Sequence, residues 1–155
     1  MNLRFERTYP FPVEAVWQAL TDARAIRQWW VDTDFEPVEG RSFFFRDKPQ
    51  PGWDGTVRGT VLEAQAPHVV RFTWVGGGSD STVTYRLTPT GDGGTVLVLT
   101  HEGLTGLKGL LVGTMLRFGW RGYVTTDLPE LARHIAQHGI AAPFPAPTKA
   151  QRVSA

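Results

Sequence analysis

Over residues 3–9, Leu3-Arg4-Phe5-Glu6-Arg7-Thr8-Tyr9, apolar and charged side chains alternate. A period of two predicts a strand with one buried face. Pro10 and Pro12 end it, and Pro12 suits the first position of a helix, where its missing N–H is not needed. Val13, Val16, Trp17 and Leu20 then recur at three- and four-residue intervals, the stripe of a short helix. Asp22 is placed to cap a second short helix from Ala23 to about Trp29. Runs rich in Val, Thr and aromatics at 42–46, 57–64, 69–75, 82–87 and 96–100 predict five further strands. The gaps between them are short and rich in Pro and Gly, which favours antiparallel hairpins.

The last patterned stretch is helical. Leu116, Trp120, Tyr123, Leu128, Leu131 and Ile135 lie close to one face. Pro129 interrupts that face and predicts a kink or break near Asp127, and Gly139 fits a helix stop. A single sheet has one apolar face to cover, and the long helix is the only element large enough to cover it. Because sheets twist and curve, helix and sheet can meet at their ends and stay apart in the middle. That gap is a predicted pocket.

Composition narrows the function classes. The 155 residues are 41% hydrophobic and 12% aromatic, enough for one packed domain. We expect it over 1–140, with a flexible Pro-rich tail over 141–155 that holds Pro143, Pro145 and Pro147. A net charge of +1 offers no broad basic field for nucleic acid. With no cysteine, disulfides and thiolate metal sites are excluded. The greasiest stretch, 104–118, is broken by Lys108, Arg117 and glycines, so no membrane span is expected. No signal-peptide pattern opens the chain, and a cytoplasmic location is the expectation.

Alternation also assigns facings. Leu97, Leu99 and His101 share one face of their strand, opposite Val96, Val98 and Thr100. Val83, Tyr85 and Leu87, and likewise Val70, Phe72 and Trp74, point the same way as the first set. Phe72, Trp74, Tyr85, Leu97, Leu99 and His101 are therefore candidate ligand-lining residues; filling the core is their competing fate. Trp30, Phe44, Leu116, Trp120 and Tyr123 complete the candidate binding set. In an enzyme, His101 would be the acid or base and Tyr123 its support. The competing role for His101 is a hydrogen bond to backbone at a strand-to-helix corner. Trp53 is a lid or a loop anchor, and Arg46 pairs with an acidic ligand if it faces inward. Asp32, Asp34 and Glu36 read as a solvated face. His134 and His138, four apart, lack a third ligand, so no metal and no cofactor is expected. Val96 and Val98, beside Thr82 and Thr84, would form an apolar strip on the outer sheet face, a surface for a homodimer or protein partner.

Several segments together resemble a known family. They are Val13-Glu14-Ala15-Val16-Trp17-Gln18-Ala19-Leu20-Thr21-Asp22 with Trp29-Trp30, Val38-Glu39-Gly40-Arg41 (Glu39 replacing a usual glycine), Gly59-Thr60-Val61-Leu62-Glu63, Phe72-Thr73-Trp74, Thr95 with Thr100-His101-Glu102-Gly103-Leu104, and Gly119-Trp120 with Tyr123 and Leu128. In order and spacing, over about residues 3 to 138, they resemble the activator of Hsp-90 ATPase homologue (AHSA-like) family of the START-like, or SRPBCC, superfamily. The resemblance implies an α+β helix-grip fold: a curved antiparallel sheet of about six strands, two short helices and a long C-terminal helix. It implies three functions: binding of a hydrophobic or aromatic small molecule, a polyketide cyclase/dehydratase- or hydrolase-like activity in the same cavity, or stimulation of a chaperone ATPase.

Overall fold

The alternating opening segment becomes β1 (Leu3–Tyr9) and the two short stripes become α1 (Val13–Thr21) and α2 (Ala23–Trp29) in the computed structural model, which describes residues 1–141. Asp22 caps α2, its side chain accepting from the Arg24 N–H at 2.9 Å. Then follow β2 (Asp32–Thr33), β3 (Ser42–Arg46), β4 (Thr56–Gln65), β5 (Val69–Gly76), β6 (Ser79–Pro89) and β7 (Thr95–Glu102). The chain ends its described part with α3 (Gly106–Gly122), a π-helical turn (Tyr123–Asp127) and α4 (Leu128–His138). The expected Pro-rich tail lies, but for Ala141, outside the described residues.

All strands join one antiparallel sheet in the order β1-β7-β6-β5-β4-β3-β2. It has seven strands rather than about six. The extra one is the two-residue β2, where Asp32 pairs with Arg46 and Thr33 with Phe45. Two residues carry no readable period, so β2 was invisible to pattern. Side-chain bonds hold it: Thr33 Oγ1 donates to the Phe44 carbonyl at 2.7 Å, and the Phe44 N–H donates to Asp34 at 2.9 Å. Asp34 therefore bonds the backbone of β3 and does not simply decorate a solvated face.

Register sets the inner face row by row. Phe5, Leu99, Tyr85 and Val70 lie side by side across four strands, as do Leu3, His101, Val83 and Phe72. All are buried. Against this face pack α3, the π-helical turn and α1, and α4 closes on α1. Gly59 is buried in β4 opposite Phe43, whose ring lies over it; an added Cβ would sit 2.6 Å from the Phe43 ring and against the Thr73 carbonyl. Gly59→Ala is expected to lower the unfolding free energy by roughly 2–3 kcal/mol, because neither a strand carbonyl nor a wedged ring yields cheaply. Denaturant titration checks this, and a loss under about 0.5 kcal/mol would show that Phe43 rotates away freely.

Pro129 does not break the last helix. The Leu128 N–H reaches the Tyr123 carbonyl, five residues back, which opens a π turn. In that register the Val124 carbonyl would look to residue 129, where proline has no N–H. The Tyr9 hydroxyl donates to it instead, at 2.5 Å. The predicted kink near Asp127 is thus a continuous, widened turn, because a distant strand satisfies the orphaned acceptor.

Candidate functional site

Beneath the side of α3 lies a half-open cavity of about 240 Å³. The sheet supplies Phe45, Val57 and Trp74; α3 supplies Met115, Leu116, Gly119 and Trp120; the segment after α2 supplies Trp30 and Val31. The β3–β4 loop closes the mouth with Asp47, Trp53 and Gly55. A second hollow of about 380 Å³ adjoins it, sharing Trp53, Val57, Trp74, Met115 and Leu116 and adding Val112 and Gln50.

Its walls are built to stay put. Trp30 packs on Phe45, Trp120 and Tyr123 with ring centroids 5.1, 5.6 and 5.0 Å apart. Trp74 and Trp120 meet at 5.6 Å. In the loop, the Asp47 N–H donates to Gly55, residues 50 and 53 bridge, and the Trp53 indole N–H donates to the Thr56 carbonyl at 3.0 Å. Trp53 is therefore both a loop anchor and a cavity wall. An aromatic wall of this kind takes up apolar or aromatic groups by removing both surfaces from water.

Behind that wall sits His101, fully buried. The Trp120 indole N–H donates to its Nδ1 at 3.1 Å, and its Nε2 lies 2.7 Å from Ser81 Oγ. An indole nitrogen can only donate, so Nδ1 must be the acceptor and the proton sits on Nε2, which donates to Ser81. Ser81 then donates to the Trp74 carbonyl at 3.1 Å and accepts from Ser79 at 2.6 Å. Every polar atom of the cluster is used. Burial pushes the His101 pKa down to about 4. With no free lone pair and its proton already turned toward Ser81, His101 in this arrangement is neither a general base nor an activator of a serine. Its partners are side chains rather than the backbone bond expected at this corner.

Four candidate residues, Trp30, Trp74, Leu116 and Trp120, line the cavity. Phe72, Tyr85, Leu97, Leu99, His101 and Tyr123 lie deeper, buried in the packed core. The hydroxyls of Tyr85 and Tyr123 are pushed well above the ordinary tyrosine range by burial, so both stay neutral. Phe44 requires a correction. It lies on the other side of β3 from the buried Phe43 and Phe45, with the Arg46 guanidinium 4.4 Å above its ring. Arg46 accordingly faces out and offers nothing to a ligand in the cavity. Phe45, Asp47, Val57 and Met115 were missed. Polar Ser42 and Arg46 at the ends of Ser-Phe-Phe-Phe-Arg carried the signal for Phe45, since alternation puts 42, 44 and 46 together. His134 and His138 rings lie 5.0 Å apart on α4, and among the described residues no three His, Cys, Asp or Glu form a group that could hold a metal. On the outer sheet face Val96 lies between Thr8 and Thr88 and Val98 between Glu6 and Arg86, not beside Thr82 and Thr84 as the pattern suggested; both valines are only partly exposed, and Leu62 and Val75 are the large apolar residues exposed there.

The model of the family described as activator of Hsp90 ATPase homolog 1-like protein matches residues 10–133. Among solved structures, protein MLL2253 from Mesorhizobium loti is 26% identical, covers 86% of this chain and 98% of its own, and superposes with a TM-score of 0.75. DynU16, a putative protein in the dynemicin biosynthetic locus, is 26% identical over 89% of this chain and 48% of its own, at 0.68. The Aha1 dimer from Colwellia psychrerythraea, at 16% identity, 90% and 98% coverage and 0.68, shares the fold. No curated protein matches the chain.

Proposed function

The chain belongs to the activator of Hsp90 ATPase homolog 1-like family, and from that premise we propose that it binds a small aromatic or hydrophobic molecule in the cavity beside α3. The observation that carries this reading is a preorganised pocket walled by four tryptophans, Trp30, Trp53, Trp74 and Trp120. Neither lining contains a basic residue, and Asp47 is the one ionisable group in either. A carboxylate at the mouth repels anions, so neutral or cationic ligands are favoured over carboxylic acids. A cyclase or hydrolase in this cavity would need a positioned acid or base, and the engagement of both His101 nitrogens leaves that reading without its main candidate. No geometric observation favours chaperone stimulation.

A matched pair of probes tests the reading. Quenching of tryptophan fluorescence should show 2-naphthol binding and 2-naphthoate binding at least about tenfold more weakly, with Asp47→Asn narrowing the gap. Leu116→Trp, which fills the cavity, should abolish both signals. Absence of 2-naphthol binding at millimolar concentration, or binding untouched by Leu116→Trp, would remove the cavity as the site.

A further inference from the structure

Among the described residues the outer side of α3 has no partner. Leu107, Leu110, Leu111 and Phe118 are 75, 49, 62 and 66% exposed, and Met115, 75% exposed, stands at the edge where this side meets the cavity rim. They recur at three- and four-residue steps, so they form one continuous stripe. The buried positions of the helix, Gly109, Gly113 and Trp120, follow a parallel series displaced to the far side. A helix apolar on both faces is expected inside a protein core, yet here one face looks into solvent.

Its charges are arranged as well. Lys108 lies on the Met115 line, seven residues away, and Arg117 on the Leu110 line, also seven away; Arg121 continues the second border. All three cations are exposed and none belongs to an ion pair among the described residues. No Asp or Glu occurs from residue 103 through 126. The near-neutral chain therefore carries a local charge of three on the edges of its most exposed apolar strip. A second copy docked through this stripe about a two-fold axis would bring both sets of cations together, which opposes a dimer. A negatively charged apolar surface fits both features: acyl chains accept the leucines and phenylalanine while anionic headgroups meet the bordering cations.

We propose that α3 is a peripheral docking helix for anionic lipid surfaces, lying in the plane of the bilayer. Spanning is not involved, and no helix among the described residues is long and apolar enough to cross a membrane.

Cosedimentation with vesicles tests this. The protein should pellet with phosphatidylcholine vesicles containing phosphatidylglycerol, release as salt rises, and bind pure phosphatidylcholine far more weakly. Removing each cation in turn (Lys108→Ala, Arg117→Ala, Arg121→Ala) should weaken binding about fivefold. Leu111→Ser with Phe118→Ser should abolish it while circular dichroism stays unchanged, since both side chains are already in solvent. Failure to pellet with the anionic vesicles overturns the proposal, as does equal binding to both vesicle types. A concentration-dependent dimer that Leu111→Ser with Phe118→Ser dissolves would overturn it too, by giving the stripe to a second copy.

Discussion

Acidification from pH 7 to 4.5 should cost this protein roughly 2.5 kcal/mol of stability through His101 alone. The folded protein protonates His101 only near pH 4, whereas the unfolded chain protonates an ordinary histidine near 6.5. Between those values the unfolded state holds more protons, so each added proton favours unfolding. The contribution is complete above pH 6.5 and is lost as pH falls toward 4. The cause is burial, which penalises the charged imidazolium; a second proton on Nδ1 would also have to displace the Trp120 N–H. Carboxylates titrate in the same range, so the comparison needs a variant. His101→Gln keeps a donor and an acceptor but cannot titrate. Urea unfolding at pH 7 and 4.5 should show a shallower decline for His101→Gln, by about that amount. Parallel declines would mean His101 is not the acid-sensitive group.

Trp120→Ala should be the most damaging single substitution at the site. Its ring is buried and touches Trp30, Trp74, Tyr85 and Tyr123. Losing a buried tryptophan costs about 3–5 kcal/mol, and leaving His101 Nδ1 unpaired adds about 1–3 kcal/mol. Together these rival the whole stability of an ordinary domain, about 5–15 kcal/mol. The variant is therefore expected to be largely unfolded at modest denaturant. Trp120→Phe weights the second contribution, since it keeps a buried six-membered ring while removing the donor with the pyrrole part of the indole. It should lose about 1–3 kcal/mol and also raise the His101 pKa, because Nδ1 is released. A Trp120→Phe protein as stable as the parent, with the parent's pH profile, would show that the indole N–H does not hold the cluster together.

Both residues are legible in the sequence pattern, though for other work. His101 and Trp120 stood out because one is a histidine on an inward face and the other an aromatic on a helix stripe. Their mutual bond joins residues 19 apart through a strand-to-helix turn, and no periodicity encodes it. The same holds for Tyr9 and Val124: a hydroxyl at the end of β1 rescues a carbonyl that Pro129 leaves without a partner, which is why a predicted break became a π turn. Asp47 escaped notice because a loop has no period, so its place at the cavity mouth depends on how the 47–55 segment folds back on itself.

What the sequence by itself determined was the order of elements and, for the long strands, which face is inward, because a period of two or 3.6 in buried area is a local property of the chain. It also determined the inner rows of Phe72, Trp74, Tyr85, Leu97 and Leu99. Tertiary structure decided which of these inward residues meets empty space. A cavity is a difference between two surfaces, the curved sheet and α3, and neither surface alone contains it. Phe72 and Trp74 face the same way two residues apart, yet one is sealed in the core and the other walls the pocket, because the rings of Phe35, Phe43, Phe45 and Tyr85 close around the first, whereas the second stands beside Trp120 at the edge of the hollow under α3.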